Sequence, residues 1–322
     1  MIRFSVIIPL YNKAPYVAKT LQSVFDQTFT DWELIVVNDG STDNSLQVAT
    51  EVIDGVCERF PAGKLNIISQ NNSGVSTARN NGVAASRGEY VCFLDADDWW
   101  ETTFLEEMDK LITEFPDAGI YGTSYFIVKN NMAKIAPIAF DDGFKSGYID
   151  YIQVYSRYLC MPLTSITIAI RRDAFDEMHG FNSKLTIGED FDLWLRIALK
   201  YKVSMVNKPL AYYNQDVDLN NRGVRKRYDS TDSFMTFSFD QFSEYEKRIL
   251  NLKLLLDRIR VTTLLCFRRY NAFKEETYRE IGKVDFANVG RKYKFYYHWP
   301  YPIVWCWFVI REFVSKIKKS IV

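Results

Sequence analysis

Three carboxylates, Asp95, Asp97 and Asp98, end a run of apolar and aromatic residues in "YVCFLDADDWW" (90–100). Two aspartates one residue apart at a strand's end can each offer an oxygen to a hard divalent cation. Such a cation keeps several waters and takes its remaining ligands from substrate phosphates. Held there, it would neutralise charge building up on a departing diphosphate. The rival use of these acids is to cap the helix expected to start near Thr102, where the helix dipole favours negative charge. One capping group is enough and this stretch supplies three, so Asp95 and Asp97 read as cation ligands, while Asp98 suits either use. A second acidic pair, Glu189 and Asp190, opens "GEDFDLWLRIA". The dipole at a helix start keeps a carboxylate ionised, as a general base requires. Plain helix-start chemistry is the rival there, and it suffices for Asp192 with Arg196 at i,i+4.

Single residues add weaker signals. Asp39 in "VVNDGSTDNS" follows an apolar run directly. A carboxylate in that place can accept hydrogen bonds from a base or ribose, although Asp-Gly is also a common turn pair. Tyr11 could stack on a nucleobase or belong to the core. Lys13 and Arg79 are candidate cations for phosphate or base contacts, against the ordinary fate of Lys and Arg as solvated surface.

The elements that would carry these residues can be read from patterning. "FSVIIPL" (4–10), "WELIVVND" (32–39), "LNIIS" (65–69) and "YVCFLD" (90–95) are short β-branched runs, typical of strands buried on both faces. Between them, "APYVAKTLQSVF", "STDNSLQVATEVI" and "GVSTARNNGVAAS" (74–86) read as helices or loops entering helices. This alternation predicts a parallel, doubly wound arrangement, with ligands at the carboxyl ends of the strands. Asn12 and Lys13, Asn38 and Asp39, and Asp95 with Asp97 all fall at such ends. Beyond residue 118, "GIYGTSYFIV", "TSITIAI" and "VSMVNKPLAYY" read as strands and 188–201 as a helix. From about 216 the sequence is polar and linker-like, and 239–281 carries helical periodicity.

Composition excludes several classes. Net charge is zero, against the basic excess of most nucleic-acid binders. Residues 244–322 nevertheless hold 17 Lys/Arg against 8 Asp/Glu, so the front of the chain is acidic and the end basic. Five scattered cysteines and two distant histidines suit neither a disulfide framework nor a zinc site and imply a reducing, cytosolic compartment. The start "MIRFSVIIPL" lacks the features of a signal peptide. There is no GxxxxGK[ST] and no GxGxxG after the first strand, which argues against a P-loop NTPase and a nicotinamide dehydrogenase.

Taken together, "SVIIPLYNK", "VVNDGSTDNS", "NNSGVSTARNNGVAASRGEYVCFLDADDWW" and "GEDFDLWLRIA" resemble the inverting nucleotide-sugar glycosyltransferases of family 2 in order and spacing, over about residues 4–200. The resemblance implies a GT-A fold, a Rossmann-like mixed sheet flanked by helices, over 1–215. Its nucleotide-sugar half would be about 1–118 and its acceptor half about 119–215. A helical, basic and aromatic region would follow over 216–322. It further implies that Pro9, Tyr11, Lys13, Asp39, Arg79, Asp95 and Ala96 bind the nucleotide-sugar, with UDP the nucleotide that the resemblance favours. Asp97, with Asp95, would ligate Mn2+ or Mg2+. Asp190 would be the catalytic base with Glu189 beside it, and the acceptor a glycan or a lipid-linked hydroxyl. A non-catalytic nucleotide-sugar-binding subunit of the same fold is the alternative, disfavoured by an intact base. Many members carry an Arg and a His after the last strand of this domain; "LAYYNQD" has neither.

The tail "FYYHWPYPIVWCWFVIREFVSKIKKSIV" stands apart. Its apolar core "PIVWCWFVI" is too short to span a bilayer, which needs about 20 residues. Aromatic residues beside Arg311, Lys316, Lys318 and Lys319 suit a membrane interface, giving peripheral attachment to the inner face of the cell membrane. Packing on the rest of the protein, or a homodimer contact, is the equal alternative.

Overall fold

A computed structural model describes residues 2–218 and 230–320, with side chains as far as Arg311. Two units divide the chain, Met1–Arg227 and Tyr228–Val322. In the first, β1 (Phe4–Leu10), β2 (Trp32–Asp39), β3 (Leu65–Gln70) and β4 (Tyr90–Phe93) alternate with α1 (Val17–Phe25), α2 (Ser45–Asp54) and α3 (Val75–Ala84). β1 runs parallel to β2 on one side and to β4 on the other, and β3 continues parallel beyond β2. Every residue of β2 is buried, because helices cover both faces of the sheet, and this is why the strand reads as unbroken apolar sequence. α1 turns Val17, Leu21, Val24 and Phe25 into that core, one apolar stripe at helical spacing.

The chain continues through β5 (Trp99–Trp100), α4 (Phe104–Glu114), β6 (Ala118–Lys129), β7 (Met132–Ile135) and β8 (Ser146–Ile149). It then forms α5 (Tyr151–Tyr158), β9 (Ile168–Arg171), α6 (Arg172–Glu177), α7 (Glu189–Ala198) and β10 (Lys202–Asn214). The strand order is β3-β2-β1-β4-β9-β6-β10-β5, with β7 beside β6 and β8 beside β10. β9 is antiparallel to both β4 and β6, so the parallel pattern of the first half stops there and the sheet is mixed. Only the last three residues of "TSITIAI" are strand, within Ile168–Arg171; Ser165–Thr167 form a 3-10 turn. β7 and β8 are absent from the sequence reading for a physical reason: every residue of β7 is exposed, so no buried face imposes a pattern.

The polar stretch from 216 begins inside this unit. Asp216 accepts hydrogen bonds from the Asn130 and Asn131 amides at 2.6 and 2.8 Å, closing the turn between β6 and β7. The linker expected after it, over 219–229, lies outside the described residues.

The second unit is helical. The long periodicity of 239–281 is delivered as several short helices, α8 (Ser243–Arg248), α9 (Leu250–Thr263), α10 (Leu265–Tyr270) and α11 (Lys274–Ile281), followed by α12 (Arg291–His298) and α13 (Tyr301–Ser320). Leu252, Leu255, Leu256 and Phe239 are fully buried beside Arg260, which is buried as completely. A charge in that position needs partners, and Arg260 finds Glu246 at 2.6 Å and Glu280 at 3.6 Å. No helix among the described residues is long and apolar enough to cross a membrane.

Candidate active site

Arg79 joins two of the acidic groups that lie far apart in sequence. α3 lies tight on β1 because residue 82 is glycine: a Cβ there would stand 2.3 Å from Ile7 Cγ2. One turn earlier on that helix, the Arg79 side chain is 3% exposed and reaches Asp95 Oδ1 at 2.7 Å and Glu189 Oε1 at 3.2 Å. The guanidinium also covers the Phe181 ring, 5.1 Å from its centroid. The acidic tip after β4 and the start of α7 are thus tied to one buried cation. Burial works against the Arg79 charge, but Asp95 and then Glu189 outweigh it and raise its pKa further.

The carboxylates answer to the same field. Burial, then the charge of Asp190, pushes Glu189 up to about 7 against the pull of Arg79. Burial also raises Asp190, opposed by the Phe191 amide and by Arg79. That amide donates to Asp190 Oδ1 at 2.7 Å. Gly188 permits this arrangement, since its φ of 81° starts α7 from the left-handed region. Asp192, by contrast, is spent on Arg196 at 2.7 Å.

β4 ends at Phe93, so Asp95, Ala96, Asp97 and Asp98 form a turn beyond it. Lys13, from the loop after β1, meets Asp97 Oδ2 at 2.5 Å. Burial raises the Asp97 carboxyl, Lys13 draws it down, and Asp95 adds to the rise. Asp98 faces the other way. It is 2% exposed, and its Oδ1 accepts from the Asn214 amide at the end of β10 at 2.7 Å. Burial and the neighbouring Asp97 hold its carboxyl well above the usual range. The Asn214 side chain donates to the Asp97 carbonyl at 3.2 Å, and the Thr20 hydroxyl to the Asp98 carbonyl at 2.7 Å. Asp98 is therefore a clamp on β10. None of the three acids caps α4, whose N-cap is Thr103 and whose first-turn acids are Glu106 and Glu107.

The remaining predicted residues occupy the neighbouring strand ends. Asp39, 3% exposed, accepts from Gln70 Nε2 and the Ser73 amide at 2.8 Å each, and from the Gly74 amide at 2.9 Å. Its carboxylate shapes the loop leading into α3. Tyr11 and Pro9 are half-buried at the end of β1. Ala96 is 2% exposed and packs within the hydrophobic core. Asn12, at φ 51°, accepts from the Thr42 amide at 2.8 Å and binds the first two strand-end loops together. Asn214, Thr20 and Phe181 were not singled out by spacing. Their only trace in sequence is a polar residue closing a strand, a threonine inside a helix and an aromatic after a glycine.

Asp95 and Asp97 offer hard oxygen donors within one turn, the donor chemistry that Mn2+ and Mg2+ prefer. Among the described residues no three His, Cys, Asp or Glu side chains converge on one point. Asp97 is largely buried, with the Lys13 ammonium on its Oδ2.

This mixed sheet, with its acidic turn and its second carboxylate pair at a helix start, is that of a GT-A glycosyltransferase. The sequence profile of Glycosyl transferase family 2 matches residues 5–178, and the chain belongs to that family. It is 30% identical over 220 residues to the amylovoran biosynthesis glycosyltransferase AmsB of Erwinia amylovora, covering 66% of this chain and 70% of AmsB. It is 39% identical over 115 residues to glycosyltransferase GlyA of Streptococcus pneumoniae, covering 35% of this chain but 15% of GlyA. Among solved structures, S. aureus TarS 1-349 in complex with UDP-GlcNAc superposes with a TM-score of 0.69 at 19% identity, over 89% of this chain and 82% of that one. At that identity the likeness concerns the fold. The chain is a glycosyltransferase.

Proposed function

We propose that this glycosyltransferase moves a sugar, with inversion, from a UDP-sugar to a hydroxyl of a glycan or lipid-linked acceptor in cell-surface polysaccharide synthesis. The observation that carries the reading is the Arg79 bridge, which holds the strand-end acid Asp95 and the helix-start acid Glu189 within 2.7 and 3.2 Å of one guanidinium. Donor-side and base-side groups are thereby held in one frame. AmsB, by its name, serves amylovoran biosynthesis, which favours polysaccharide synthesis, and TarS binds UDP-GlcNAc, which favours a nucleotide-sugar donor.

In this reading Asp190 takes the proton of the acceptor hydroxyl while that oxygen attacks the anomeric carbon. The bond from that carbon to the diphosphate oxygen breaks, and the nucleoside diphosphate leaves with the electron pair. A single displacement inverts the centre, so an α-linked donor gives a β-linked product. Asp95 and Asp97 would hold Mn2+ or Mg2+, whose chemistry is to neutralise charge on the diphosphate. Lys13 adds a cation at the same turn, and Arg79 keeps Asp95 and Glu189 oriented. Asp39, Tyr11, Pro9 and Ala96 would border the nucleoside. The division into a catalytic domain over 1–215 and a helical region over 216–322 is part of the same reading. A panel of UDP-, GDP- and dTDP-sugars, followed by release of nucleoside diphosphate with and without Mn2+, tests it. Release from none of them, with or without metal, would remove the proposal.

A further inference from the structure

The second unit leaves one helix face without a solvent-compatible surface. Among the described side chains of α13, only Val304 and Phe308 are buried, at 0% and 9% exposure, with Phe308 stacked on Tyr296 at 5.4 Å. Arg311 follows on that side and donates to the Tyr296 hydroxyl at 3.0 Å. At 100° per residue the remaining positions from 303 to 310 sweep an arc of about 200°. Ile303, Trp305, Trp307, Val309 and Ile310 lie on it at 45–55% exposure, with Trp299 at 52% just before. Cys306 completes the arc, and no polar or charged residue interrupts it. A surface helix ordinarily carries its polar residues there.

The charge around this face selects its occupant. From 286 to 322 the sequence holds seven Lys/Arg against a single acid, Glu312. Arg291, Lys292 and Lys294 on α12 are exposed. A second copy of the chain docked through this face would set like charge against like, whereas an anionic lipid surface attracts it. Tryptophan favours the headgroup level of a membrane. The apolar stretch is too short to span about 30 Å of hydrocarbon, so the helix would lie in the plane of the interface. We propose that the outer face of α13, flanked by the cations of α12, binds the surface of an anionic bilayer. This stands independently of the donor and acceptor assigned above.

The test is sedimentation of the full chain with sucrose-loaded vesicles of phosphatidylcholine, with and without phosphatidylglycerol. The wild type should sediment with the anionic vesicles, less so as salt rises, and weakly with the neutral ones. The exposed pair W305S/W307S should weaken binding about tenfold or more, and K292Q/K294Q should reduce it on anionic vesicles alone. Circular dichroism and unfolding midpoints establish that both variants are folded. Brominated lipid should quench tryptophan fluorescence in the wild type and less in W305S/W307S. The proposal is overturned if the wild type ignores anionic vesicles or if the tryptophan pair binds them as well as the wild type. It is equally overturned if light scattering shows a dimer that W305S/W307S dissociates.

Discussion

Replacing Arg79 with Met removes the cation shared by Asp95 and Glu189 while keeping a side chain of comparable reach. Breaking a buried ion pair by deleting one partner costs about 3–5 kcal/mol in general. The Asp95 side chain is 33% exposed, so water takes over part of the role of Arg79 there, and a loss of about 2–4 kcal/mol is expected. Part of that loss depends on pH in a way that can be worked out. Glu189 sits at about 7 with Arg79 beside it and rises further without it. A carboxyl in an unfavourable site can take a proton, so its share of the loss is limited to about 1.4 kcal/mol per pH unit above its wild-type pKa.

The sign follows from linkage. Because the folded pKa lies above the ordinary 4.5, Glu189 contributes stability that is complete below about 4.5 and lost as pH rises through about 7. In Arg79→Met the loss continues to higher pH. The gap between wild type and variant should therefore widen by about 1 kcal/mol from about pH 6 to about pH 8. Urea unfolding at the two pH values, with EDTA present to keep metal off Asp95, measures it. A gap that stays constant or narrows as pH rises refutes the Arg79–Glu189 coupling.

Other perturbations separate the roles of the remaining acids. Asp190→Asn should lower turnover by about 10²–10⁴-fold with little change in donor binding, and wild-type-like transfer would exclude Asp190 as the base. Since burial raises Asp190, wild-type turnover should climb with pH along a limb above the usual aspartate range, and a pH–rate profile of kcat shows whether it does. Lys13→Met removes the ammonium 2.5 Å from Asp97 and should tighten Mn2+ binding about tenfold in the absence of nucleotide, read by calorimetry. Unchanged or weaker Mn2+ binding would mean that Lys13 and the ion do not share Asp97. Asp98→Ala leaves the Asn214 amide unpaired and should cost about 1–3 kcal/mol of stability. Asp98→Asn keeps an acceptor for that amide and should cost less; equal losses would show that the hydrogen bond is not what matters.

How far these features could be read in advance depended on what each residue answers to. β2 is buried on both faces, so its eight residues announce themselves as strand to within a residue at either end. β7 answers to no core and leaves no pattern. The acids of the turn after β4 are visible by type, yet their division of labour is not. Asp98 is claimed by an amide 116 positions later, a partner that only the folded sheet brings near. Asp39 likewise reads as a nucleoside contact or a turn residue, whereas three donors from its own chain converge on it. The antiparallel entry of β9 depends on pairing between distant segments, which local periodicity does not encode. The tail's aromatic content was plain in sequence, but which flank faces outward required the inward stack of Phe308 on Tyr296.

β10 touches both halves of the catalytic unit. Its early residues pair with β8 and with β6, its Ala211 and Tyr212 pair with β5, and its final residue Asn214 grips the turn that bears Asp97. A thirteen-residue strand of this kind acts as a lever. A shift of its early residues against β8 would therefore be carried along the strand to the turn at its tip.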